Sequence, residues 1–288
     1  MQKLRRHHSR IVVLLSQAED STKPQQRFES MPNPNMDLNR LASAYRASEA
    51  AVVRAFFKKR RHKREHLRWL KAQGFKEYSA IKPIIDALAA LYPHVGRSVA
   101  RRDYAELTEK LADETKHAQL VMDLLEDITG KKITPRDLTW LPQDRRLAKV
   151  RAKYSRSYAA LLHGSQKITS KEIIRSDEEL ERAAITLTEG GGGALYQICS
   201  RLNKRGFEGK IARVFQAILR DEIGHKDSGA RSLQNFIRDP AAFRRAANII
   251  ADISSQRLRM RNEQFGFPLT RVELANLEDR ARQSIRWE

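Results

Sequence analysis

The chain has 288 residues, 55 Lys and Arg against 35 Asp and Glu, a formal net charge of +20, and one cysteine. That length can bury a sizeable core, while a lone Cys199 excludes an intramolecular disulfide framework and suits a reducing compartment. The longest apolar run near the start, Ile11 to Leu15, is too short for a membrane span or a signal-peptide core, so a cytoplasmic protein without a transmembrane segment is expected.

The charge is uneven. Residues 1–75 hold 17 Lys and Arg against 6 Asp and Glu. Such an excess attracts nucleic acid, an anionic membrane surface or an acidic carrier protein; its plainer reading is a solvated basic helix.

Residues 1–36 are rich in Ser, Gln and Pro, and Met31-Pro-Asn-Pro-Asn-Met36 is a turn-forming break, so this segment is predicted to be disordered. Residues 37–73 read as one basic helix capped by Asp37, with Leu41, Tyr45, Val52, Val53, Phe56 and Phe57 at helical spacing. Within it, His62-x-x-Glu65-His66 has the form of the inverted zinc-protease motif. The flanking cations would repel zinc, and Glu65 is read instead as a helix-surface partner for Lys or Arg.

Gly74 is expected to end that helix. The next, from about Phe75 to Tyr92, places Glu77, Ile81, Ile84, Leu88 and Leu91 on one stripe. Asp86, about 180° around the helix from Glu77, is the rival acid, and Pro83 is expected to kink the segment and could re-aim either. After a turn at Pro93 to Gly96, a long helix to about Thr129 carries Leu107, Leu111, Glu114, Ala118, Val121 and Leu125 inward.

Residues 144–163 read as helical and basic, within a long crossover. Ser176-Asp-Glu-Glu179 has the capping-box form and opens a helix carrying Glu189 and Tyr196 two turns apart; Tyr196 is the candidate catalytic side chain. Between them lie Gly190, Gly191, Gly192 and Gly193. Four helical glycines cost about 2–4 kcal/mol relative to alanine. They are read as the wall of a substrate or oxygen pocket, the alternative being close helix packing.

A further helix, from about Gly209 to Arg238, turns Phe215, Ile218, Glu222 and His225 inward, and residues 241–263 form another. Thr270-x-x-Glu273 caps a last helix to about Ile285. No strand pattern occurs, so the fold class is all-α.

Two stretches stand out: Asp113-Glu114-Thr115-Lys116-His117 and Asp221-Glu222-Ile223-Gly224-His225. Both read D-E-x-x-H, and on a helix Glu and His three apart share a face and reach one metal ion. Each is preceded by a Glu on an earlier helix: Glu77, with 35 residues between it and Asp113, and Glu189, with 31 between it and Asp221. A Glu-x-x-His pair on each of two helices, plus one Glu from each of two others, is a dinuclear carboxylate ligand set. Four buried carboxylates would be prohibitive without compensation, and two divalent ions neutralise them. A mixed oxygen and nitrogen field suits iron or manganese.

The doubled unit resembles the motif of ferritin-like non-haem di-iron carboxylate proteins: ribonucleotide reductase small subunits, multicomponent monooxygenases, aryl-amine N-oxygenases and tRNA hydroxylases. The resemblance spans roughly residues 76–235 and implies a four-helix bundle over 74–238 with a long crossover, and helices at 37–73 and 239–288 added to it. It implies two Fe ions, or Fe and Mn, held by Glu77, Glu114, His117, Glu189, Glu222 and His225, with Asp113 and Asp221 accepting hydrogen bonds from the ligating histidines.

The activity implied is that of an O2-dependent oxidoreductase of hydroxylase, monooxygenase or oxidase type. Its partners would be O2, an organic substrate and an electron-donor protein, with a homodimer as the expected assembly. The alternatives are a ferritin-type ferroxidase or storage protein, and a tRNA-directed hydroxylase that uses the basic surface.

Overall fold

Apolar periodicity organises the chain into helices. In the computed structural model the described residues are 34–154, 180–188, 192–203, 205–234, 236–237 and 239–285; the side chains of 34, 35, 192 and 223–234 lie outside that description. All of them fall within the unit Asn33–Glu288. The helices are α1 (Pro34–Phe57), α2 (Lys63–Leu91), α3 (Arg101–Thr129), α4 (Pro142–Arg151), α5 (Gly192–Cys199), α6 (Gly206–Gln234), α7 (Pro240–Gln264) and α8 (Arg271–Arg282). Residues 180–188 are helical as well. Among the described residues there is no strand, only an isolated bridge between Val95 and Val99. The fold is all-α.

Several boundaries differ from those expected. The helix assigned to 37–73 is two helices, and α1 begins at Pro34, inside the segment expected to be disordered. Proline is well suited to a first turn, where its missing N–H has no intrahelical partner to lose. Helix α1 stops at Phe57, where the cationic run Lys58-Lys-Arg-Arg61 begins. Consecutive like charges oppose a further turn, and Arg61 Nε caps the end by donating to the Phe56 carbonyl at 2.8 Å. Glu65 then starts α2, accepting from the His62 N–H at 2.9 Å and from Arg61 Nη1 at 2.9 Å.

Gly74 does not end a helix; it lies inside α2. A Cβ there would sit 3.0 Å from Leu138 Cδ2 and 3.2 Å from Val121 Cγ1, so the absent side chain lets α3 and the following loop approach closely. Pro83 is also internal to α2, which continues to Leu91. The caps at the other end of the chain match the sequence: Thr270 Oγ1 accepts from the Glu273 N–H at 3.2 Å, and Glu273 accepts from the Thr270 N–H at 2.8 Å.

Helix α2 packs along α3, α3 meets α6, and α5 lies against α6. Helix α1 packs on α5, α7 and α8, and α4 on α7. Far from being an appendage, α1 buries Leu38, Leu41, Tyr45, Val52, Val53 and Phe56. Its first half joins α7 and residues 180–188 in one core. Its last turn enters a second core around Trp69, with Val121 and Leu125 from α3, Leu195 from α5 and Phe215 from α6. That second core carries the helices that hold the D-E-x-x-H stretches.

The inner stripe of α1 also carries two buried acids, Asp37 in the first turn and Glu49. Glu49 is buried, one turn after Tyr45, and its two oxygens accept from Arg257 Nε and Arg261 Nε of α7, each at 3.2 Å. Burial alone would raise the Glu49 carboxyl, but the two guanidiniums outweigh it and hold it below the ordinary carboxylate range. A depressed folded-state pKa contributes stability that is present above the unfolded value, about 4.3 for Glu, and is lost as pH falls through the folded value.

Glu49→Gln should therefore lower stability at pH 7 by about 3–5 kcal/mol, because two buried guanidiniums lose their counter-charge. Urea unfolding measured from pH 7 down to pH 3 checks this: the gap between wild type and variant should narrow as the wild-type carboxyl protonates.

Candidate metal centre

The site assembles where α2, α3, α5 and α6 converge. Helix α3 supplies Asp113, Glu114 and His117; α2 supplies Glu77; α6 supplies Asp221 and Glu222; α5 supplies Tyr196. The ligating atoms of Glu77, Glu114 and His117 lie within 4.8 Å of one another, although 37 residues separate Glu77 from Glu114. The i,i+3 spacing puts Glu114 and His117 on one face of α3, and that face meets the stripe of α2 that carries Glu77.

His117 is the most informative residue. Its ring is 1% exposed. Nε2 lies 3.2 Å from Asp221 Oδ2, an acceptor, so Nε2 carries the ring proton. The other nitrogen, Nδ1, is buried and has no hydrogen-bond partner. Its nearest ionic neighbour is Glu222 Oε1 at 3.9 Å, beyond hydrogen-bond reach. Nδ1 therefore sits near the Glu222 carboxylate with no hydrogen bond made, a position that a proton or a bound cation would satisfy.

Asp221 does double duty. It accepts from Lys116 Nζ at 2.8 Å as well as from His117. Burial alone would raise its carboxyl, but the bonds from Lys116 and His117 outweigh it and hold Asp221 below its usual range. The Asp of one D-E-x-x-H stretch thus orients the His of the other across the α3–α6 contact.

Glu77 is buried and faces inward. Its Oε1 accepts from the Tyr196 hydroxyl at 3.0 Å and from Gln73 Nε2 at 2.6 Å. Burial holds the Tyr196 phenol well above its ordinary pKa, and the nearby carboxylates of Glu77, Glu222 and Glu114 raise it further. Tyr196 is accordingly a proton-bearing donor to Glu77. Asp86 is exposed and pairs with Lys82 Nζ at 2.7 Å. Of the two rival acids, Glu77 is the one that lies beside Glu114 and His117.

Glu189, Gly190 and Gly191 lie outside the described residues, as does the Ser176–Glu179 cap within 155–179 and all of 1–33. Gly192 opens α5 and Gly193 is buried in it. His225 is part of α6, but its side chain lies outside the description. Asp113 is half-buried on α3. His62 and His66 do not form a site: His62 is exposed, while His66 Nδ1 accepts from Trp69 Nε1 at 3.3 Å among aromatic rings.

Gln73 escaped the sequence reading. It lies one turn before Glu77, and the i,i+4 spacing from Trp69 was the available signal. The resemblance implied that Asp221 accepts from a ligating histidine; that the partner is His117 of the other stretch had no sequence signal, because it depends on how α3 and α6 cross. No family model, curated protein or solved structure matches the chain.

Glu77→Ala should abolish the retention of added Mn2+ after gel filtration, whereas Asp86→Ala should retain the ion like the wild type. Asp86→Ala should also leave stability within about 0.5 kcal/mol, as expected for an exposed pair. Metal analysis and thermal melts of the two variants check both expectations.

Proposed function

We propose that the chain is an O2-dependent non-haem oxidoreductase that binds two iron ions, or iron with manganese, within a ferritin-like arrangement of helices. The observation that carries this reading is His117 Nδ1, a buried nitrogen without a hydrogen-bond partner, 3.9 Å from Glu222 Oε1, on a ring grouped within 4.8 Å with the ligand atoms of Glu77 and Glu114. That donor set fits a hard or borderline divalent cation: carboxylate oxygen with neutral imidazole, and no thiolate. Glu77, Glu114 and His117 would hold one ion. Glu222, 3.9 Å from Nδ1, would share it with a second, for which Glu189 and His225 would complete the doubled motif. When bound, such a metal pair supplies the electrons that reduce dioxygen.

The chain's own residues set the conditions for that chemistry. Asp221 fixes the His117 tautomer, so that Nδ1 keeps its lone pair for a ligand. Tyr196 stays protonated and holds its hydrogen on Glu77 Oε1, within the electrostatic reach of three carboxylates. Phe215 packs on the Tyr196 ring at 5.9 Å, within the apolar core that also holds Trp69 and Leu195, so the Tyr196 side of the site is backed by buried apolar side chains. Lys116 neutralises Asp221, so the orienting carboxylate adds little net repulsion to the cluster.

Anaerobic reconstitution with Fe2+ should load close to two ions per chain, and a pulse of air-saturated buffer should then draw a limited, stoichiometric uptake of O2. Glu114→Ala and Glu222→Ala should each lose iron and that uptake. Sustained uptake with growth of a ferric mineral would assign the chain to storage, and a wild type that retains no metal would remove the reading altogether.

A further inference from the structure

Glu77 is the end of a hydrogen-bond chain that crosses the protein interior. The chain starts at Glu49, whose oxygens accept from Arg257 and Arg261. Arg261 Nη1 then donates to Gln264 Oε1 at 2.6 Å and, at 3.4 Å, to Gln73 Oε1. Gln264 Nε2 donates to Gln73 Oε1 at 2.9 Å and to the Trp69 carbonyl at 3.4 Å. Gln73 Nε2 donates to Glu77 Oε1. Glu49, Arg261, Gln264, Gln73 and Glu77 are all buried.

The direction of these bonds follows from the donor inventory. A guanidinium has only donors, so the amide oxygen of Gln264 must face Arg261 and its NH2 must face Gln73. Gln73 therefore receives a donor on its oxygen, which turns its own NH2 onto Glu77. No member can reverse without placing two donors or two acceptors face to face in a dry interior, where an unmet polar group is costly. The relay is polarised one way by a guanidinium that is itself pinned to Glu49.

Its output is specific to one atom. Both Gln73 and Tyr196 donate to Oε1 of Glu77, so Oε1 is occupied by two hydrogen bonds. Among the described residues Oε2 accepts no hydrogen bond, which leaves it for a ligand in the cluster with Glu114 and His117. We propose that Gln73, Gln264 and Arg261 are positioning residues that hold Glu77 as a one-oxygen metal ligand, coordinating through Oε2 alone. The proposal rests on the metal-site reading above and adds how this ligand is set: a residue of α7, 184 positions from Glu77, governs its geometry. No titration is involved, because the relay works through fixed donors. Groups that orient ligands in this way alter metal affinity by about 10–100-fold.

The test uses the whole chain and Co2+ as the probe, titrated anaerobically against a chelator while the visible ligand-field bands are recorded. Gln73→Met and Gln264→Met preserve side-chain length and remove the donor. Each should weaken Co2+ binding by about 10–100-fold and shift the bands, since Glu77 becomes able to offer both oxygens. Ser255→Ala, which removes the hydrogen bond to Tyr45 in the other core, should cost stability while leaving affinity and bands unchanged.

The relay is also read without metal. In the 15N-labelled metal-free protein, the Gln73 side-chain amide protons should give two resolved, slowly exchanging NMR signals, and Gln264→Met should collapse that protection. Unchanged cobalt affinity and bands in both Met variants would overturn the relay and leave the metal site standing. Unprotected Gln73 signals in the wild type would overturn it even if a variant fails to fold. A folded wild type that takes up no cobalt would overturn the metal site, and with it the relay's part in ligation.

Discussion

A carboxylate taken into a protein interior has to be answered by positive charge or by donors, and this molecule contains two contrasting answers. Glu49 is met by two guanidiniums, one on each oxygen, and is held ionised. Glu77 is met by a phenol and an amide, both neutral and both on the same oxygen. Among the described residues, no Lys or Arg forms an ion pair with it. Beside it stand Glu114 and the buried, unpartnered Nδ1 of His117. The fold thus has cations available for burial and commits them elsewhere, which is the arrangement a cation-binding cluster requires.

The same constraint explains the unusual composition of α7. Its buried face runs from Ile249, Ile250 and Ile253 into Arg257, Arg261 and Gln264. The apolar end packs against α1, and the polar end reaches the second core, where α2 carries Gln73 and Glu77. A guanidinium buried at 2% exposure would be strongly destabilising alone. Its carboxylate and two amide partners make it tolerable, and they also give the interior a fixed hydrogen-bond direction that ends on the candidate site.

Helix existence was legible in the sequence wherever an apolar stripe ran for several turns, and Glu114 and His117 share a face because the i,i+3 rule is local. The inward position of Glu77 and the exposure of Asp86 also followed from periodicity across Pro83. Errors arose where a residue had two uses. Gly74 looks like a terminator, but the structure uses its missing side chain for the approach of Val121 and Leu138. The Lys58–Arg61 run looks like the solvated face of a longer helix, yet it marks a break, because Arg61 caps one helix and Glu65 begins the next. The polar relay was invisible for a different reason. Gln and Arg at inward positions resemble surface residues until their partners, about 190 residues away, are brought alongside. Glu49 alone carried a warning, as an acid on the stripe between Tyr45 and Val52.

The most direct test of a metal-holding centre is anomalous diffraction at the iron edge from crystals grown anaerobically with Fe2+. An anomalous peak bonded to His117 Nδ1, with Asp221 still on Nε2 and Glu77 contributing Oε2, is the expected result. Density placing Nδ1 within hydrogen-bond distance of Glu222, with no anomalous peak between Glu77, Glu114 and His117, would contradict it.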